Sequence, residues 1–324
     1  MNVHRRDVLL LVTLASAAAT SVLVQPVLGQ PALGQTVVPA GGATSSNAQA
    51  AASIPDFSGI WRHPSLPGFE PPASGPGPVV NKVRRRGARQ PGASDYDRLV
   101  GDYTNPILKS HAAETVKQYG EISLSGVTFP NPANQCWPEP VPFIFKHFGM
   151  QMLQQPHQIT MIYSEDHEVR WVRMNQPHPA QVTPSWHGDS VGYYEGDTLV
   201  IDTVGTKTDR PFAMIDLYGT PYTEKLHVVE RYRLLDYEAA KEGLERDAKE
   251  NFIVLEGRDP NYRGKYLQVH FTVEDEGVFT MPWSATITYG PGSGEWPEIV
   301  CADNRHEYYN NKDSDVPTAE KPDF

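Results

Sequence analysis

His187, Asp189, Tyr193, Glu195 and Asp202 crowd into the stretch Ser185–Gly205. Such side chains supply general acids, general bases and hydrogen-bond donors. Strand alternation sorts them. Along Thr198–Val204, Val200, Asp202 and Val204 share one face, and a carboxylate on an apolar face needs a partner or a proton. Along Leu226–Leu234, His227, Val229, Arg231 and Arg233 face one way, and Leu226, Val228, Glu230 and Tyr232 the other. If the Leu226 face is interior, Glu230 is buried and requires a cation, Arg170 or Arg231. If the His227 face is interior, His227 and Arg231 line the cavity. The residue types therefore nominate Asp202 and His227 as a proton-transfer pair and Glu230 with Arg231 as a structural ion pair. Arg170, Arg231 and Tyr193 are nominated to hold the polar end of a substrate.

Other chemistries have less behind them. His147, His157 and His167 fall at regular intervals, with His178 and His187 nearby, but no paired-histidine or paired-cysteine motif accompanies them, so no metal site is expected. Ser185 and Ser190 lie near His187 and Asp189 without a nucleophile-elbow glycine pattern. There is no nucleotide fingerprint, and no cofactor is implied. Trp186 and Trp283 head a set of aromatics, most of them core-forming, of which a few can line a small-molecule pocket. Tyr193 and Tyr194 point to opposite faces of their strand, so at most one faces such a pocket.

The elements that must hold these groups are strands. Ser185–Gly205 reads as a hairpin turning at Glu195-Gly196-Asp197. Further strands are expected at Pro55–Arg62, Met150–Gln155, Ile159–Ser164, Val169–Met174, Lys225–Leu235, Tyr266–Glu274, Phe279–Tyr289 and Glu298–Cys301. Short connections make neighbours antiparallel. Such a meander prefers closure, which removes sheet edges. The fold expected is mainly β, an antiparallel meander closing into a barrel, with a β-sandwich as the alternative. A helix over Pro106–Gly120, a helical insertion near 237–263 and an N-terminal Pro-rich extension decorate a single domain over 55–310. A tail over 311–324 follows.

The chain opens with His4-Arg5-Arg6-Asp7 before the apolar run Val8–Ala19, a twin-arginine type export leader over residues 1–34. That run is too short to span a bilayer. Residues 35–54, rich in Ala, Ser and Gly, read as a flexible linker. Removing Arg5, Arg6 and Asp7 from the 28 basic and 39 acidic residues leaves 26 and 38, a net charge of −12. This argues against nucleic acid and anionic membranes as partners. A periplasmic or secreted location also predicts a disulfide between the two cysteines, Cys136 and Cys301.

Several motifs stand in a distinctive order: Asn105–Lys109, Cys136-Trp137-Pro138, His178-Pro179, Pro184-Ser185-Trp186, Tyr194–Thr203, Leu226–Tyr232 and Met281-Pro282-Trp283. Together they resemble a large group of exported bacterial proteins to which no reaction is assigned, over roughly Pro55 to Asn304. The start Gly59-Ile60-Trp61 is similar to that of lipocalin-like barrels, where the tryptophan plugs one end. Members of the exported group often carry Glu at position 189 and His at 193 and 222. Asp189, Tyr193 and Tyr222 here depart from that pattern, which weakens a metal or histidine-base mechanism borrowed from the group. The reading that follows is a periplasmic small-molecule enzyme, a cofactor-free acid–base lyase, isomerase or hydrolase. A binding or carrier protein using the same pocket without chemistry is the alternative.

Overall fold

The computed structural model describes residues 54–63, 66–86, 91–250, 261–292 and 300–301. The leader, the linker up to residue 53 and the C-terminal tail expected from sequence lie outside these residues. Nine strands run in chain order: β1 (Gly59–Arg62), β2 (Gly149–Gln154), β3 (Gln158–Tyr163), β4 (Val169–Met174), β5 (Asp189–Glu195), β6 (Thr198–Val204), β7 (His227–Leu235), β8 (Tyr266–Glu274) and β9 (Trp283–Pro291). They close into one barrel in that order, β1 pairing with both β2 and β9. The barrel is thus lipocalin-like in architecture, and the sandwich alternative falls away.

One junction departs from the meander. β4 and β5 pair parallel, Val172 with Ser190, Arg173 with Val191 and Met174 with Gly192. Parallel neighbours need a crossover rather than a tight turn, and residues 175–188 supply it. Of the expected strand Glu298–Cys301 only Val300 and Cys301 are described, and neither is in a strand. Cys136 and Cys301 form the expected disulfide.

The β5–β6 hairpin turns at Gly196, whose φ of +61° suits glycine. Glu195 pairs with Thr198 across it. The first helix, α1, runs Ser110–Leu124, later than the sequence suggested. Pro106 and Ile107 lie in a turn capped by the Asn105 side chain, which accepts the Ile107 N–H at 3.1 Å. Leu108 bridges to Phe279. Tertiary pairing therefore delays the helix start past the proline. The second helix, α2 (Tyr237–Glu250), lies within the expected insertion. Arg246 of α2 donates to the buried Glu70 at 2.6 Å. Among the described residues no helix is long and apolar enough to cross a membrane.

Alternation decides which strand faces turn inward. Val228, Glu230 and Tyr232 are buried, whereas His227, Val229 and Arg231 are only partly so. The Leu226 face is therefore the interior. Inside, Met161, Tyr163, Val172, Leu199, Ile201, Phe271, Ile287 and Tyr289 form a continuous apolar filling. The chain segments at the ends of β3 and β6 and the starts of β4, β5 and β7 meet at one end of the barrel, as their registers require. That end is the mouth referred to below.

Candidate functional site

The sequence-nominated residues separate onto two sides of the barrel wall. Arg170 of β4 and Glu230 of β7 meet inside it as a two-point ion pair. Nη1 donates to Oε2 at 2.9 Å and Nη2 to Oε1 at 2.6 Å. Arg170 also donates to Ser190 Oγ at 3.0 Å and Thr203 Oγ1 at 2.6 Å, and the Tyr232 hydroxyl donates to Glu230 at 2.7 Å. This network spans β4 to β7 and satisfies the buried charges. It corrects the expected Glu230–Arg231 pair: adjacent strand residues point to opposite faces. Arg231 lies outside, donating to Glu195 at 2.6 Å. Neither arginine is positioned to hold a substrate as expected, since each is committed to a carboxylate. Tyr193 is exposed on the outer face, beside Glu195 and Arg231. Trp283 is buried core, packed against Phe69, Phe271 and Phe279.

Asp202 and His227 do come together, on the outer wall rather than in the interior. His227 Nε2 lies 3.0 Å from Asp202 Oδ1. His178 Nε2 reaches the same oxygen at 3.1 Å, and its Nδ1 lies 2.6 Å from Asp189 Oδ2. Arg173 donates to Asp189 at 2.8 Å. The hydrogen bond from His227 holds the Asp202 carboxyl below its usual range, and the same bond raises the imidazole. The string is half-buried and lies along β4, β5, β6 and β7. Ser185 and Ser190 form no triad with it: Ser185 donates to the Gly188 carbonyl, and Ser190 bonds Arg170.

A second cluster occupies the barrel mouth, and of its members the sequence singles out Trp186 and His187. Four segments build it. The stretch 136–148, pinned at Cys136 by the disulfide, brings Glu139, Lys146 and His147. The β3–β4 turn brings Glu168. The approach to β5 brings Trp186 and His187, and the β6–β7 connection brings Lys207, Arg210 and Tyr222.

At its centre His187 Nε2 stands 3.5 Å from Glu168 Oε2. His187 Nδ1 lies 3.0 Å from the Glu139 carbonyl oxygen. A carbonyl only accepts, so Nδ1 carries the hydrogen and Nε2 presents its lone pair to Glu168. The Glu139 backbone N–H donates to the Glu168 carboxyl at 3.1 Å. Burial, reinforced by the neighbouring Glu139 charge, pushes the Glu168 carboxyl up to about 9. Burial, with the nearby Arg170 charge, pushes His187 down to about 4. At neutral pH the pair is therefore a neutral carboxylic acid facing a neutral imidazole.

The surroundings are equally polar and enclosed. His147 Nδ1 lies 2.7 Å from Glu139 Oε1. Lys146 is fully buried in a one-turn 3-10 helix, Phe143–Lys146, with Nζ 3.5 Å from the Phe143 ring centre. Burial brings its amine down to about 8. Trp186 stacks on Trp137 at 5.6 Å, with the Arg210 guanidinium 4.6 Å and Lys207 Nζ 5.0 Å from its ring. Trp186 is thus the one nominated substrate-binding residue that lies at this site. The loop origin of Glu139, Lys146, Glu168 and Arg210 hid them. The usable signal was an acidic turn, Glu165-Asp166-His167-Glu168, one strand away from His187, together with Glu139 close behind a disulfide cysteine.

Among the described residues no group of three His, Cys, Asp or Glu is arranged to hold a metal ion. No family model, curated protein or solved structure matches the chain.

Proposed function

We propose that this protein is an exported, periplasmic enzyme that performs acid–base chemistry on a small organic molecule, as an isomerase, lyase or hydrolase, at the barrel mouth. The observation that carries this reading is the contact between Glu168 and His187, one held as the acid and the other as the free base. Two titratable groups displaced in opposite directions by their surroundings are what proton transfer at neutral pH requires.

In a proton shift, His187 Nε2 takes a proton from the substrate and becomes imidazolium. Glu168 delivers its own proton to the acceptor atom and becomes carboxylate. The two are then a cation and an anion 3.5 Å apart, and transfer from His187 to Glu168 restores the starting pair with no net change in protons. In an elimination the acceptor atom belongs to the leaving group, and the same reset applies. Glu139 fixes both partners through its backbone: its carbonyl sets the His187 tautomer and its N–H orients the Glu168 carboxyl.

The test is turnover by the purified protein on a panel of small organic acids, alcohols and esters. Glu168→Gln and His187→Asn are each expected to lower kcat about 10²–10⁴-fold without loss of the fold. If both variants keep wild-type rates while Asp202→Asn and His227→Ala do not, the reaction belongs to the outer-wall string instead.

The carrier reading keeps one specific support, the Trp137–Trp186 stack flanked by Arg210 and Lys207, which is a recognition arrangement rather than a reacting one. A carrier would return every bound compound unchanged, and Glu168→Gln would alter affinity alone.

A further inference from the structure

We infer that the molecule taken at the barrel mouth is a small monoanionic carboxylate, and that Arg210 is the residue that holds it. This rests on the reading of the mouth as the functional site and names its ligand class. Arg210 is more than nine-tenths buried. Its Nη2 donates to the Pro138 carbonyl, while Nε and Nη1 make no hydrogen bond among the described residues. The Tyr222 hydroxyl gives its hydrogen to the Lys207 carbonyl at 2.7 Å and turns its oxygen toward the guanidinium as an acceptor, which still leaves Arg210 with more donors than acceptors. A buried guanidinium with unspent donors is costly unless an acceptor arrives, and a carboxylate is the acceptor that guanidinium geometry favours.

Position supports the same conclusion. The Arg210 charge acts on both Glu168 and His187, so a carboxylate on Arg210 sits next to the proton-transfer pair. Lys146 Nζ is a second buried cation without a hydrogen-bond partner among the described residues. The arginines first nominated for anion binding, Arg170 and Arg231, are both committed to carboxylates of the protein. The carboxylates Glu139, Glu165 and Asp216 also surround the mouth, acting on Lys146. They set an upper limit on ligand charge: a phosphate ester, at about −1.5 to −2, meets more repulsion than a single carboxylate.

The experiment compares matched acids and amides by ligand-detected NMR on the full mature chain: acetate with acetamide, butyrate with butyramide, and benzoate with benzamide, with phenyl phosphate added. At least one acid is expected to bind 10-fold or more tightly than its amide and no more weakly than phenyl phosphate. Arg210→Gln should erase that preference, and Arg210→Lys should keep part of it and report that the variant site still folds. Equal binding of acid and amide, a preference that survives Arg210→Gln, tighter binding of phenyl phosphate, or no binding by any pair would each overturn the inference. Charge preference in a protein without turnover would reject the acid–base reading and leave the Arg210 assignment standing.

Discussion

Glu168 and His187 meet at 3.5 Å with their proton affinities displaced in opposite directions, to about 9 and about 4. Both displacements come first from burial, which disfavours the charged form of each. The arrangement has a stability signature. His187 binds its proton less well folded than unfolded, so stability rises with pH between about 4 and 6.5. Glu168 binds its proton more tightly folded, so its contribution falls with pH between 4.5 and about 9. The two oppose each other up to 6.5, and above it only Glu168 of the pair acts. Chemical denaturation at a series of pH values is expected to show stability falling by up to about 1.4 kcal/mol per pH unit from neutrality to about 8, above which the Lys146 amine, held down to about 8 by burial, opposes the fall. Glu168→Gln should flatten that limb. An unchanged slope in the variant would mean that Glu168 is ionised in the folded protein.

The interior ion pair predicts a sharp asymmetry between single and double replacements. Arg170 and Glu230 are almost completely buried and fully hydrogen-bonded. Glu230→Leu alone leaves a guanidinium buried without its carboxylate, at a cost of about 3–5 kcal/mol. Arg170→Met with Glu230→Leu removes both charges and is expected to recover much of that loss. Arg170 also bridges the parallel junction by bonding Ser190 of β5, so the double variant should show faster amide exchange along β5 than along β8. Equal costs for the single and double variants would mean that the stranded charge is not the source of the effect.

The barrel was legible because its strands alternate clearly, as Gln158–Tyr163 and Tyr266–Glu274 do. The inward face of β7 was not. Glu230 and Arg231 are adjacent and both charged, so alternation alone allowed either face to be interior. The structure resolves the choice through a partner on β4, sixty residues away in sequence. Pairing Asp202 with His227 was legible because both sit on the same face of neighbouring strands. That this face points outward depended on the same unresolved choice. The parallel β4–β5 junction left no local mark, since residues 175–188 have the composition of an ordinary loop. The mouth cluster was hidden for a related reason: its members come from turns and connections, which carry no periodicity to place them.

The disulfide joins residues 165 apart in sequence, and a loop of that length corresponds to about 5 kcal/mol in the chain-entropy picture. Cys136→Ser with Cys301→Ser is expected to lose stability on that scale. A second effect follows from position. Cys136 lies three residues before Glu139, whose carbonyl and N–H hold His187 and Glu168. Loosening this segment should therefore lower turnover more than it lowers the barrel's thermal midpoint would suggest. Turnover of the double variant, measured well below its melting temperature, checks this. Activity equal to wild type there would show that the barrel alone positions the pair.

The outer-wall string makes a separable prediction about pH. His227 is raised by its hydrogen bond to Asp202, so its contribution to stability is complete below its unfolded value of 6.5 and is lost as pH rises through the higher folded value. Asp202 is lowered by the same bond, so its contribution is present above 3.8 and disappears only as pH falls through its lower folded value. The coupling is therefore greatest between about 4 and 6.5. Both side chains keep about a third of their exposure, and solvent screening limits the pair to about 0.5–1 kcal/mol. A double-mutant cycle of Asp202→Asn and His227→Gln at pH 5.5 should return a coupling of that size, and one at pH 9 should return close to none. By NMR, the His227 titration midpoint should drop in Asp202→Asn. A midpoint that does not move would show that Asp202 shares its charge mainly with His178, the other imidazole on the same oxygen.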